Sequence, residues 1–123
     1  MKDLNYQKGR DGEDIAKYFL IDKGMLWIES NHVNNLGEID LIMSEGDVLI
    51  FIEVKLKIGD QYGTPEEMIS KGKIARVKRI AEIFLVINPK LAKKFSKYRI
   101  DAVCIVKDFE GNTKRVSHYK NIA

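Results

Sequence analysis

The sequence predicts an α/β fold in the order α-β-β-β-α-β-β, a mixed five-stranded sheet flanked by helices. Three observations predict it. Two apolar runs, Ile39 to Met43 and Val48 to Val54, are separated by Ser44-Glu45-Gly46-Asp47 and read as a β-hairpin. Two longer stretches, one on each side of that hairpin, carry apolar residues at the i, i+3, i+4, i+7 spacing of a helix with one buried face. Beyond the second, Tyr98 to Lys107 and Thr113 to Tyr119 flank a turn at Gly111 and supply two further strands.

Taken in order, Asn5 to Gly9 reads as a loose basic lead-in to a helix from about Arg10 to Lys23. Gly12, Ile15, Ala16, Phe19 and Leu20 line its buried face, and Gly24 stops it. Met25 to Asn31 is a short strand, followed by a polar loop, Asn31 to Asn35, in which His32 reads as a solvated residue. After the hairpin, Ile58 to Gly63 is a flexible connection. Thr64-Pro65-Glu66-Glu67 then has the form of a capping box with proline at the first helical position, which starts a helix running to about Ile87. Ile74, Val77, Ile80, Ala81 and Phe84 form its buried stripe. A basic connector, Lys90 to Lys97, leads to an interior strand, and Thr113 to Tyr119 lies nearer an edge. Asp101 and His118 read as structural.

Composition bounds the function. With 123 residues, 45% of them hydrophobic and 32% charged, residues 1–123 make one compact domain with a single core. The formal charge of +3 permits a nucleic-acid partner without demanding one. The single cysteine, Cys104, sits in an apolar run and reads as a buried small hydrophobe. No stretch reaches the roughly 18 apolar residues of a membrane span, and the first residues carry no apolar signal region, so the expected location is the cytoplasm, with no membrane partner.

The hairpin also carries Glu38, Asp40, Glu53 and Lys55, and charge inside an apolar strand is costly unless it has work to do. Strand alternation puts all four on one face if the loop has two or four residues; a three-residue loop breaks that parity. With the loop centred on Glu45-Gly46, Asp40 faces Phe51 and stands diagonal to Glu53, roughly 7 Å between Cβ atoms, so that both carboxylates can hold one divalent cation. The Val54 peptide oxygen can complete the inner shell, and Lys55 is placed to orient water or hold phosphate. Glu13, at the edge of the first helix's apolar stripe, can add a further carboxylate; it equally suits a first-turn acid paired with Lys17. Lys73 points along the packed face of the second helix, either snorkelling or reaching an anionic ligand. A surface salt-bridge patch of Glu38, Glu53 and Lys55 is the bland alternative to a metal site.

Gly9-Arg10-Asp11-Gly12-Glu13 with Ala16, then Asn31, Gly37-Glu38-Ile39-Asp40-Leu41-Ile42, Phe51-Ile52-Glu53-Val54-Lys55, Gly63-Thr64-Pro65, Lys73 and Arg99-Ile100-Asp101, resemble the small bacterial YraN-type proteins. The resemblance covers nearly the whole chain. That family is similar to archaeal Holliday-junction resolvases and groups with the PD-(D/E)xK nucleases, which implies a restriction-endonuclease-like fold. It also implies that Asp40 and Glu53 are metal ligands, Lys55 the catalytic lysine and Glu13 the helix-borne acid. Lys57 stands where arginine is more usual, and Ile100 replaces an aromatic.

The expectation is therefore an Mg²⁺- or Mn²⁺-dependent DNA endonuclease acting on structured or branched DNA in repair or recombination, needing no small-molecule cofactor. Its catalytic residues are Glu13, Asp40, Glu53 and Lys55, and its metal ligands Asp40, Glu53, Glu13 and the Val54 carbonyl. Lys8, Arg10, Lys57, Lys71 and Lys73 are candidates for the DNA track, because backbone contacts come chiefly from Lys and Arg. A resolvase-like task needs two sites, hence a homodimer. The alternative is a non-catalytic DNA-binding accessory module of a DNA-processing complex; a third reading has no nucleic acid at all.

Overall fold

The computed structural model describes residues 4–59 and 61–123, with side chains from residue 11 onward. Helix α1 (Leu4–Asp22) precedes strands β1 (Leu26–Asn34), β2 (Gly37–Glu45) and β3 (Val48–Ile58). A single 3-10 turn (Pro65–Met68) leads to α2 (Lys71–Ile87) and α3 (Pro89–Lys94), followed by β4 (Lys97–Lys107) and β5 (Thr113–Tyr119). The strands form one sheet in the order β1-β2-β3-β4-β5. Only β3 and β4 run parallel, because the α2 crossover joins them; the other neighbours are antiparallel. The predicted α/β mixed sheet is thus the observed one.

Each face of the sheet buries its own core. On one side Ala16 and Leu20 of α1 pack on Leu41, Met43, Ile50, Ile52, Val103 and Ile105. On the other, Val77, Ile80, Ala81 and Phe84 of α2 pack on Ile42, Leu49, Phe51 and Ile100, with the Phe51 and Phe84 rings edge to face at 5.5 Å. The interior strands β3 and β4 are therefore apolar on both faces.

Helix α1 ends as the sequence predicts. Gly24, at φ +100°, lets its own N–H reach the Ile21 carbonyl and the Met25 N–H reach the Leu20 carbonyl, with Leu20 and Met25 both buried in one cluster. Its beginning differs: the helix starts at Leu4, so Asn5 to Gly9 is helical backbone and not a loose lead-in. Only Gly9 in that stretch disfavours a helix, and it is followed by a well-packed continuation that carries it.

Three other boundaries depart from expectation. Strand β1 runs on through Asn34, because Asn31 takes φ +55° and the ladder with β2 continues from His32↔Ile39 to Asn34↔Gly37. The predicted long second helix is two pieces: Ile69 is extended, Thr64 makes no side-chain cap bond, and Ser70 caps α2 by accepting the Lys73 N–H at 3.2 Å. The basic connector contains α3, which Pro89 opens and Lys93 and Lys94 close in keeping with the helix dipole.

Candidate metal centre

The site is built where β2 and β3 part. Their ladder runs from Glu45↔Val48 across a Gly46-Asp47 loop to Leu41↔Ile52. This is a two-residue loop placed one position later than expected, with Gly46 at φ +59° as its first residue. Phe51 therefore faces Ile42 and not Asp40, a two-residue shift that preserves the parity. It brings Asp40 level with Glu53 instead of diagonal to it. Past Leu41 the Asp40 side chain takes over from the ladder, its Oδ2 accepting the Val54 N–H at 2.8 Å. A strand residue's N–H and C=O leave the same edge, so the Val54 carbonyl also faces the Asp40 side.

Helix α1 reaches this place because Gly12 lets it. A Cβ built there lies 3.3 Å from the Leu56 Cβ and 3.6 Å from Val54 Cγ1, so the helix lies nearly against β3 and carries Glu13 to the end of β2. Glu13, Glu38 and Asp40 each present a carboxylate oxygen, all within 4.8 Å of one another. Oxygen ligands of one Mg²⁺ sit about 2.1 Å from it and thus at most about 4.2 Å apart across it, so small side-chain rotations let these three share an ion. The donor set, all carboxylate oxygen, suits a hard cation. Burial and the neighbouring Glu53 raise the Asp40 carboxyl to about 7, with Glu13 adding to the rise, while the Val54 N–H and Lys55 oppose it.

The cations stand on the other flank. Lys55 Nζ lies 3.2 Å from Glu53 Oε1, with both side chains largely buried. Burial pulls the Lys55 ammonium down, but Glu53 and Asp40 outweigh it and the group is held above its ordinary value. Lys73, at the first turn of α2, is exposed and stands beside Lys55; the Lys55 charge lowers it, with burial adding to the effect. Lys73, Arg76, Val77 and Ile80 of α2 face Glu38 and Glu53 across a groove of about 270 Å³.

Of the residues singled out in the sequence, the structure brings together Glu13, Asp40, Glu53, Lys55, the Val54 peptide and Lys73. Lys57 lies two residues beyond Lys55 on β3 and is half-buried, and Lys71 is exposed at the start of α2. The side chains of Lys8 and Arg10 lie outside the described residues. The carboxylate trio differs from the expected ligand set: Glu38 belongs to it, and Glu53 is drawn to Lys55. Glu38 shares strand and parity with Asp40, a signal already visible in the sequence. Arg76 had no such signal, since its place depends on the β1–β2 turn.

Two histidines complete the picture. His32 is not a solvated loop residue: its Nδ1 lies 2.8 Å from Glu29 and its ring packs edge-on to Phe84 at 4.8 Å. The longer β1 and its bulge after Trp27 turn it inward. His118 and Asp101 are structural as read. Asp101, fully buried, accepts from Arg99 Nε and the Asn121 N–H, each at 2.9 Å, and lies 2.7 Å from His118 Nε2. Cys104 is buried, and that burial, with Glu66 nearby, pushes its thiol up to about 12, as an inert hydrophobe requires.

Residues 12–105 match the model of the uncharacterised protein family UPF0102. The chain belongs to that family. A UPF0102 protein of Pelotomaculum thermopropionicum is 37% identical over 121 residues, covering 98% of both chains. UPF0102 proteins of Dictyoglomus turgidum and Dictyoglomus thermophilum are 37% identical over 117 residues and 38% over 102, covering 97% and 84% of their own lengths and 95% and 83% of this chain. The family match spans every residue of the UPF0102 carboxylate cluster, from Glu13 to Lys55, together with α2. No helix among the described residues is long and apolar enough to cross a membrane.

Proposed function

We propose that this UPF0102 protein is a metal-dependent DNA endonuclease of the PD-(D/E)xK kind, hydrolysing phosphodiesters in structured or branched DNA. The observation that carries the reading is the meeting of Glu13, Glu38 and Asp40 beside the Glu53–Lys55 pair, on two diverging strands and a helix. Asp40 and Glu53-Val54-Lys55 supply the D and E-x-K of that pattern. A salt-bridge patch accounts for Glu53 and Lys55 but not for the close approach of the Glu13, Glu38 and Asp40 carboxylates.

Glu13, Glu38, Asp40 and the Val54 carbonyl would hold the ion. An Mg²⁺ or Mn²⁺ ion held there would supply positive charge against the scissile phosphate and a more acidic water. The chain's own residues do the rest. Asp40, tied to the Val54 N–H, keeps its carboxylate aimed into the gap between strands. Glu53 is held at the rim by Lys55, and Lys55 stays an ammonium that can orient water or bind a phosphate oxygen. Lys73 adds a second positive charge where the phosphate's negative charge builds up.

The test is cleavage of a labelled panel of single strand, duplex, flap and four-way junction in Mg²⁺ or Mn²⁺, wild type beside Glu53→Ala. Metal-dependent cutting that the variant loses supports the nuclease. Equal DNA binding by both proteins with no cutting by either replaces it with the accessory module.

A further inference from the structure

The groove beside the carboxylates has walls of two kinds. Lys73 and Arg76 make one end cationic, Val77 and Ile80 give it an apolar back, and Glu38 and Glu53 close it toward the candidate metal centre. Its far wall is the β1–β2 turn, docked on α2 by two bonds: Arg76 Nε donates to the Leu36 carbonyl and Asn34 Nδ2 to the Ile80 carbonyl, each at 3.3 Å. Gly37 makes that approach possible, since a Cβ there would stand 3.0 Å from Ile80 Cδ1 at a φ of +147°. Arg76 lines the groove, and among the described residues its guanidinium has no other hydrogen-bond or ion-pair partner, which leaves its remaining N–H groups available to a ligand.

We propose that this groove is a subsite for one unpaired nucleotide next to the scissile phosphate, its phosphate held by Arg76 and Lys73 and its sugar and base lying in the groove alongside them. The inference rests on the nuclease reading and names its substrate class. Size decides against a duplex: at about 270 Å³ the groove falls just under the roughly 300–1,000 Å³ of pockets that enclose drug-sized ligands, room for one nucleotide-sized group and not for stacked pairs. Charge decides the orientation. An anion is repelled by Glu38 and Glu53 and drawn to the α2 wall, where a guanidinium can grip two phosphate oxygens at once and stack against a base. A nucleotide so placed has left its helix, so flaps, single strands and junction arms fit and blunt duplex does not.

The experiment is a salt titration of binding, by fluorescence anisotropy in EDTA, of labelled single strand, flap and blunt duplex to the wild type, Arg76→Ala and Arg76→Lys. The wild type should favour DNA with unpaired nucleotides by about tenfold. Arg76→Ala should lose about tenfold on those substrates alone and flatten their log–log salt dependence by about 0.7, the share of one phosphate contact on a single strand, with Arg76→Lys keeping most of that slope. If Arg76 served only to hold the β1–β2 turn, Arg76→Ala would weaken all three DNAs alike and leave the slope unchanged, and the inference is overturned. Equal wild-type affinity for flap and blunt duplex overturns it too. A wild type that binds no DNA overturns the nuclease reading itself, whereas binding and metal-dependent cleavage untouched by Arg76→Ala overturn only the groove.

Discussion

The Asp40 carboxylate accepts the Val54 N–H at 2.8 Å, and the strand ladder between β2 and β3 goes no further than the Leu41↔Ile52 pair beside it. A side chain thus stands in for a backbone partner at the point where two strands part. That substitution opens the gap into which Glu13 and Glu38 also reach.

Because Asn keeps an acceptor for the Val54 N–H while removing the charge, Asp40→Asn should raise the melting temperature by a few degrees in EDTA. What it relieves is the burial of the Asp40 charge and its crowding by Glu53 and Glu13. The same variant should lose the stabilisation that Mg²⁺ gives the wild type, about 2.7 kcal/mol at a hundredfold excess over Kd. Thermal melts with and without Mg²⁺ read both effects. A wild-type melt that is indifferent to Mg²⁺ and Mn²⁺ contradicts the metal site.

Gly12→Ala sets two effects against each other. Removing a helix-interior glycine stabilises by about 1 kcal/mol, but the added Cβ meets the Leu56 Cβ at 3.3 Å, which no rotamer change can move. The helix must shift, at an overpacking cost of about 1–3 kcal/mol. Stability should fall only slightly, while Mg²⁺ affinity falls severalfold because Glu13 moves with the helix. Calorimetric Mg²⁺ titration of the two proteins measures the difference.

Asp101→Ala leaves Arg99 and His118 without their shared carboxylate in the sheet interior. The expected loss is about 3 kcal/mol, roughly 10–20 °C in melting temperature, with the carboxylate cluster unaffected. Urea unfolding checks the first part and Mg²⁺ titration of the folded variant the second.

Acid should unlatch the 3-10 turn from β5. Arg115 holds Glu66 at 2.5 and 3.0 Å, and Tyr119 donates to it at 2.7 Å; Arg115 above all lowers its carboxyl from 4.5 to about 2. A depressed folded value means that this stability is complete above the unfolded value and drains away as pH falls from about 4.5 toward 2. Glu66→Gln should therefore melt below the wild type at pH 7, with the gap narrower at pH 3 and closing only near pH 2, and added salt should narrow the pH 7 gap because the pair is partly exposed. A gap that is constant from pH 7 to 3 contradicts this account.

How much of this was legible in the sequence follows from what each signal depends on. Alternation marked the hairpin, and with it the shared parity of Asp40, Glu53 and Lys55, because period-two burial is a local property. The register within that parity depended on whether Gly46 opens or follows the turn, which its neighbours do not state. Thr64-Pro65 looked like a better helix start than Ser70, but Glu66 bonds to Arg115, 49 residues away, and the chain breaks at Ile69 to allow it. His32 sat in an asparagine-rich stretch whose composition says loop, while the Phe84 ring it packs on is a tertiary fact. Arg76 was one basic residue among several on α2 until the β1–β2 turn met it at Leu36.

The most direct test of the central claim is single-turnover cleavage of a labelled branched DNA in Mg²⁺ by wild type and Asp40→Asn, each at protein concentrations that bind the same fraction of DNA. The account predicts that the wild type cuts only with a divalent metal present and that Asp40→Asn, still folded and still bound, is slower by at least a hundredfold. Equal rates for the two proteins, or cutting that persists in EDTA, would contradict it.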